Sequence, residues 1–230
     1  MNQVQSDLLV KVPTGIPGFD VFSEGGLPEG RTTLVSGTAG SGKTIFASQF
    51  LIAGIELGQN GVFVTFEESP RMLRKNMLGF GWNIQQWEEA KKWAFVDASP
   101  LDVNIPQISG EYDLDPLISR LRYAIEQVGA KRVAIDSLGT VFSYVPDETQ
   151  VRSVLFKLAQ VLRELEVTSV LTSELTIEYG QISRHGIEEF VADNVIIMRN
   201  ALTEERRRRT IEILKFRGVP HQHGEFPRKI

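Results

Sequence analysis

The chain has 230 residues, 42% of them hydrophobic and 23% charged, with a formal net charge of −4 and no cysteine. The length holds one large domain or two small ones around a sizeable core, and the lack of cysteine excludes a disulfide framework, a thiolate nucleophile and cysteine-ligated zinc. The acidic balance offers nucleic acid and anionic lipid no basic field, no apolar run reaches about 20 residues, and residues 1–7 carry no secretory signal, so a cytoplasmic globular protein is expected.

Residues 32–36 form the first short, β-branched, apolar run and read as a strand buried on both faces. Gly37-Thr38-Ala39-Gly40-Ser41-Gly42-Lys43-Thr44 follows, a full G-x-x-x-x-G-K-[ST] match that opens onto a helical pattern over 44–57. In that order, strand, glycine-rich loop and helix make a phosphate cradle. Backbone N–H groups at a helix N-terminus surround the phosphates, Lys43 adds a mobile cation, and the Thr44 hydroxyl can bind Mg2+. The candidate nucleotide-binding residues are therefore Thr38, Ala39, Gly40, Ser41, Gly42, Lys43, Thr44 and Ile45.

A second strand, 62–66, ends in Glu67-Glu68 and leads into a helix over 70–78. At the carboxyl end of a parallel strand a carboxylate faces the ligand crevice and can polarise a water that attacks a γ-phosphate. On an extended chain the two side chains point to opposite sides, and Glu68-Ser69 before Pro70 also suits a helix cap. The residues leave open which glutamate is catalytic. A strand is expected at 94–97, a long loop at 99–115 and a helix at 116–128. The apolar strand at 133–136 ends in Asp136, the Walker B arrangement that holds Mg2+. Val151, Val154, Leu155, Leu158, Leu162 and Leu165 share one face of a helix over 150–165, and a strand follows at 169–172.

This alternation predicts an α/β fold: a mainly parallel sheet with helices on both faces. Beyond residue 165 the strands at 195–198 and 210–216 flank only a charged stretch, 203–209, which predicts an antiparallel hairpin at the sheet edge. Lys215 and Arg217 share a face at the end of the last strand. They suit either neutralising a γ-phosphate or solvating an edge. The four arginines at 206–209 read as a subunit contact or a solvated turn, and Trp82, Trp87 and Trp93 as packing anchors. His221 and His223 lack a third metal ligand at supporting spacing. With no linker or repeat, the chain reads as one domain.

Thr14-Gly15-Ile16-Pro17-Gly18-Phe19-Asp20, Gly25-Gly26-Leu27-Pro28-Glu29-Gly30, the phosphate loop, Thr65-Phe66-Glu67-Glu68 and Ile135-Asp136-Ser137 together resemble the RecA-like KaiC ATPases of the circadian clock. Phe80-Gly81-Trp82, Glu178-Tyr179-Gly180 and Glu212-Ile213-Leu214-Lys215-Phe216-Arg217-Gly218 bring the likeness closer to the family's N-terminal ATPase domain, over about 14–230. The resemblance implies a RecA-like P-loop fold filling residues 1–230, with a core at 14–220 and peripheral tails at 1–13 and 221–230. It implies ATP and Mg2+ as cofactors and a homo-hexameric ring with nucleotide between subunits. Glu67 and Glu68 match the family's catalytic pair. Lys215, Phe216, Arg217, Val219 and His221 match positions that a neighbouring subunit contributes to phosphate and base. Residues 99–115 fall near the family's contact region for its clock partner KaiB. Two departures stand out: Gly79 replaces a serine that lines the nucleotide site, and Glu188-Glu189-Phe190 stands where the second domain of the family carries its phosphorylated Ser-Thr pair. Autokinase activity is therefore not expected. The rival readings are a RecA- or RadA-like DNA-dependent ATPase, which the acidic charge disfavours, and a nucleotide-gated assembly scaffold with incidental turnover.

Overall fold

Strands β1 (Lys11–Val12) and β2 (Leu27–Pro28) pair with each other around the short helix α1 (Phe19–Phe22) in a computed structural model that describes residues 9–99, 114–143, 148–180 and 191–228. The phosphate loop joins β3 (Thr32–Gly37) to α2 (Lys43–Glu56), and β4 (Gly61–Thr65) leads through α3 (Pro70–Leu78) and α4 (Ile84–Glu89) to β5 (Trp93–Asp97). Helix α5 (Asp115–Val128), β6 (Arg132–Asp136), α6 (Leu138–Ser143), α7 (Glu148–Glu164) and β7 (Thr168–Glu174) continue the alternation. Three strands end the chain: β8 (Asn194–Thr203), β9 (Arg206–Phe216) and β10 (Glu225–Pro227).

Eight strands form one sheet in the order β10-β9-β8-β3-β7-β6-β4-β5. From β8 to β5 all neighbours are parallel, whereas β8–β9 and β9–β10 are antiparallel. The expected RecA-like α/β fold with a C-terminal edge hairpin is therefore the observed one. Its central strands β3, β7, β6 and β4 are buried along almost their whole length because both faces are covered. Leu34, Val62, Val64, Val133 and Ile135 enter one core, under α5 and α7, while Val35, Phe63 and Ala134 enter the other, under α1 and α2. Period-2 side-chain alternation on each strand is what feeds two cores from one sheet.

Local signals set several boundaries. Helix α3 has the expected limits, since Ser69 accepts from Met72 N and Pro70 fills the first turn. The hairpin strands run longer than expected, through the charged stretch to a turn at Glu204 and Glu205, whose φ values of 45° and 65° are both left-handed. Arg206 to Arg209 are all exposed there, so no apolar alternation marks them as strand. Trp93 is buried and stacks between Phe63 and Trp87. Of the expected 99–115 loop, only Ser99, Leu114 and Asp115 lie among the described residues. The polar tail from residue 221 contributes β10, which is too short to leave a periodic signal.

One buried cation ties the lower part of the fold together. Arg132, at the start of β6, is fully buried and donates to Gln59 Oε1 (2.7 Å), Pro13 O (2.7 Å) and Phe50 O (2.8 Å), with its guanidinium 4.8 Å from the Phe50 ring centre. Burial pulls its pKa down to about 10. Residue 54 is glycine because a Cβ there would stand 2.4 Å from Arg132 Cδ. Truncating Arg132→Ala removes three acceptors' donor and opens a cavity, so a loss of about 3–5 kcal/mol in urea unfolding is expected. Arg132→Met, which keeps most of the volume, should lose clearly less.

Candidate active site

The loop from Gly37 to Gly42 leaves β3 at the carboxyl end of the parallel sheet, and its last glycine (φ 92°) makes the left-handed turn that starts α2. Lys43, the first helical residue, is buried and folds its ammonium back onto Gly37 O (2.8 Å) and Thr38 O (3.1 Å). Desolvation lowers its pKa, opposed by the charges of Glu174, Asp136, Glu67 and Glu178. Ala39 and Gly40 are exposed, Ser41 is buried and Ile45 is half-buried against the core beneath. Thr38 Oγ1 donates to Glu178 Oε1 at 2.7 Å.

Two strands away, β6 brings Asp136 to the same edge. Thr44 Oγ1 donates to its Oδ2 at 2.7 Å, and Thr172 Oγ1 donates to its Oδ1. Desolvation raises the Asp136 pKa against the pull of these two hydroxyls. The set of one hydroxyl and one carboxylate supplies hard oxygen donors, the chemistry that Mg2+ takes with substrate phosphates and water.

The adjacent glutamates part company. Glu67 Oε1 reaches the start of α6 just beyond β6 and accepts from Ser137 Oγ and from Thr140 Oγ1 (3.1 Å), beside Asp136. Glu68 turns the other way and accepts from Asn76 Nδ2 on α3 at 2.8 Å. Only Glu67 contributes to the electrostatics of both Lys43 and Asp136. Both glutamates lie in the bend between β4 and α3, beyond the strand itself, and the chain's turn there sends their carboxylates to different partners.

Lys215, Phe216, Arg217, Val219 and His221 are not brought to this loop. Gly37 pairs with Met198, whereas Phe216 pairs with Asn194, four strand residues or about 13 Å back toward the opposite end of the sheet. There Lys215 Nζ donates to Ala192 O (2.9 Å), and Arg217 lies 3.5 Å from the buried Asp193, which also pairs with Arg31 at 3.3 Å. Phe216 is buried, Val219 half-buried, and the His221 ring sits 5.4 Å from that of Phe216. Burial and then His223 lower the His221 pKa. Lys215, Phe216 and Arg217 thus stand toward one end of the sheet and the phosphate loop at the other.

A family model described as "ATPase: KaiC" matches residues 12–230. The chain belongs to the KaiC ATPase family. Among its relatives, "Circadian clock protein KaiC3" of Synechocystis sp. is 63% identical over 227 residues, covering 99% of this chain and 45% of the relative. "Circadian clock oscillator protein KaiC" of Thermostichus vulcanus is 53% identical over 218 residues, covering 94% and 42%. The protein of that same description from Prochlorococcus marinus (strain MIT 9313) is 51% identical, covering 94% and 44%. The chain thus spans less than half the length of these curated relatives.

Within this KaiC-family chain, sequence reasoning missed Thr172, Glu174 and Glu178, which complete the electrostatics of the loop. Glu174 ends β7 level with Gly37, a position that only the strand order reveals. Glu178 Oε2 also accepts from Asn200 N at 3.0 Å, a contact between segments 22 residues apart with no local signature. Glu188-Glu189-Phe190 lies outside the described residues. Among the described residues, no helix is long and apolar enough to cross a membrane.

Proposed function

We propose that the chain is an ATP-hydrolysing unit of a KaiC-like circadian clock protein, assembling as a homo-hexameric ring with ATP between neighbouring copies. The observation that carries this reading is the Thr44–Asp136 hydrogen bond of 2.7 Å, which joins the phosphate loop to the Walker B strand with Glu67 alongside. Lys43 and the backbone amides from Thr38 to Ile45 hold the phosphates. Lys43 is free to exchange two loop carbonyls for phosphate oxygens. Thr44 and Asp136 would hold Mg2+, which supplies charge neutralisation on the phosphate oxygens. Glu67 orients the attacking water: the water oxygen bonds to the γ-phosphorus, the bridging oxygen leaves with ADP, and the water's proton passes toward the Glu67 carboxylate. Glu68, held by Asn76, supports the shape of that corner.

The cationic end acts on the next copy. Lys215 and Arg217 neutralise the γ-phosphate bound there, and Phe216, Val219 and His221 line its base. Their separation from the chain's own loop supports this, because one domain cannot close its own site. A KaiB-like clock partner and a cytoplasmic location accompany this reading. Autokinase activity does not, since Glu188-Glu189-Phe190 offers no hydroxyl. Residues 1–230 act as one such domain.

Molar mass in solution tests the proposal. With Mg-ATP the mass should reach about six chains and fall without nucleotide, while phosphate release reports turnover. A monomer under every condition overturns the ring. Equal ring lifetimes with ATP and a non-hydrolysable analogue would favour a scaffold in which turnover is incidental.

A further inference from the structure

Strand β10 is fastened at several points. Phe226 stacks on Phe22 with ring centres 4.3 Å apart, and Glu225 accepts from Thr210 Oγ1 (3.2 Å) and pairs with Arg199 (3.0 Å). Arg228 N then donates to Arg209 O at 3.0 Å, which turns the Arg228 side chain inward. That side chain is only 7% exposed. Its Nη1 donates to Ser41 O (3.2 Å) and Gly42 O (3.5 Å) and lies 3.6 Å from Met198 Sδ, with the guanidinium 5.8 Å from the Phe46 ring centre. Burial and Arg209 pull its pKa down to about 10, so it stays a cation at neutral pH. Among the described residues it forms no salt bridge with a carboxylate.

A buried cation without a carboxylate is costly unless something else compensates it. Here the compensation comes from two carbonyls of the phosphate loop. The peptide that carries Ser41 O also carries the N–H of Gly42, and the peptide that carries Gly42 O carries the N–H of Lys43. In a trans peptide the two groups point in opposite directions. A charged donor on the carbonyl side therefore fixes and polarises the N–H on the phosphate side.

We propose that Arg228 is a positioning residue of the phosphate loop: from behind, it holds the Ser41–Gly42 and Gly42–Lys43 peptides so that their N–H groups face a bound nucleoside di- or triphosphate. The inference rests on the nucleotide-binding reading above. It makes the last strand part of the site, although that strand belongs to the stretch whose sequence reads as a polar tail.

The test compares Arg228→Met and Arg228→Lys with the unaltered chain, using a fluorescent ADP analogue with Mg2+ and the unfolding midpoint without nucleotide. Arg228→Met should weaken nucleotide binding about tenfold, the worth of one charge-assisted hydrogen bond, and speed hydrogen exchange at the Gly42 and Lys43 amides. Arg228→Lys, which keeps a charged donor, should recover part of that loss. Affinity within about twofold of the unaltered chain in both variants overturns the proposal, whatever the midpoint does. Should the Met variant fail to fold, the Lys variant decides by the same twofold criterion. If the unaltered chain binds no nucleotide, or Lys43→Ala binds as well as it does, the nucleotide reading fails instead.

Discussion

Glu67→Gln is expected to lower ATP turnover by about a hundredfold or more, whereas Glu68→Gln should stay within about threefold. The two side chains are adjacent in sequence, exposed and chemically identical, so the difference comes from where each carboxylate is held. Glu67 is tethered by Ser137 and Thr140 beside Asp136, at the edge that the Lys43 ammonium also faces. A glutamine there keeps much of the shape and loses the negative charge that draws a proton from water. Glu68 is bonded to Asn76, away from that edge, and its substitution costs an exposed hydrogen bond. Single-turnover phosphate release, with nucleotide affinity measured in parallel, separates a chemical defect from a binding defect. Equal losses in the two variants would show that both carboxylates serve the water.

Arg217→Ala is expected to lower turnover by at least about a hundredfold while changing stability little, as a cation supplied to the γ-phosphate by a neighbour does. The side chain is 60% exposed and its bond to Asp193 is 3.5 Å long, so the ion pair lost is a weak one. Asp193 keeps two other arginines, Arg31 and Arg163. The decisive measurement mixes Arg217→Ala with Lys43→Ala, each inactive alone. In a ring of head-to-tail contacts, about one site in four then joins an intact loop to an intact arginine under random mixing, and activity returns in that proportion. Exchange of labelled subunits verifies that mixed rings have formed. No recovery in verified mixed rings would place Arg217 outside the reaction.

The legible parts of this site are those whose chemistry is local in sequence. The six glycine-punctuated residues from Gly37 to Gly42 and Lys43 can cradle phosphate only on a strand-to-helix turn, and the apolar runs on either side of them supplied that turn. Asp136 was legible for a similar reason, as the polar end of an apolar strand. The central strands could be read because burial on both faces leaves a continuous apolar signal, and α7 because burial on one face leaves a period of 3.6. The ends of the sheet were harder. At Arg206 to Arg209 both faces are in solvent, and β10 is three residues long, so burial imposes no pattern on either.

The sequence by itself determined the phosphate loop, its strand and helix, the place of Asp136 at the end of an apolar strand, the mainly parallel sheet and the edge hairpin, because each follows from a local pattern. Only the tertiary structure decided that Glu67 and not Glu68 faces Asp136, that Lys215 and Arg217 stand at the far end of the sheet, and that Arg228 lies behind Ser41 and Gly42. Those facts depend on strand order and register, which bring together residues as far apart as Ser41 and Arg228. No spacing along a chain encodes a contact made across a sheet.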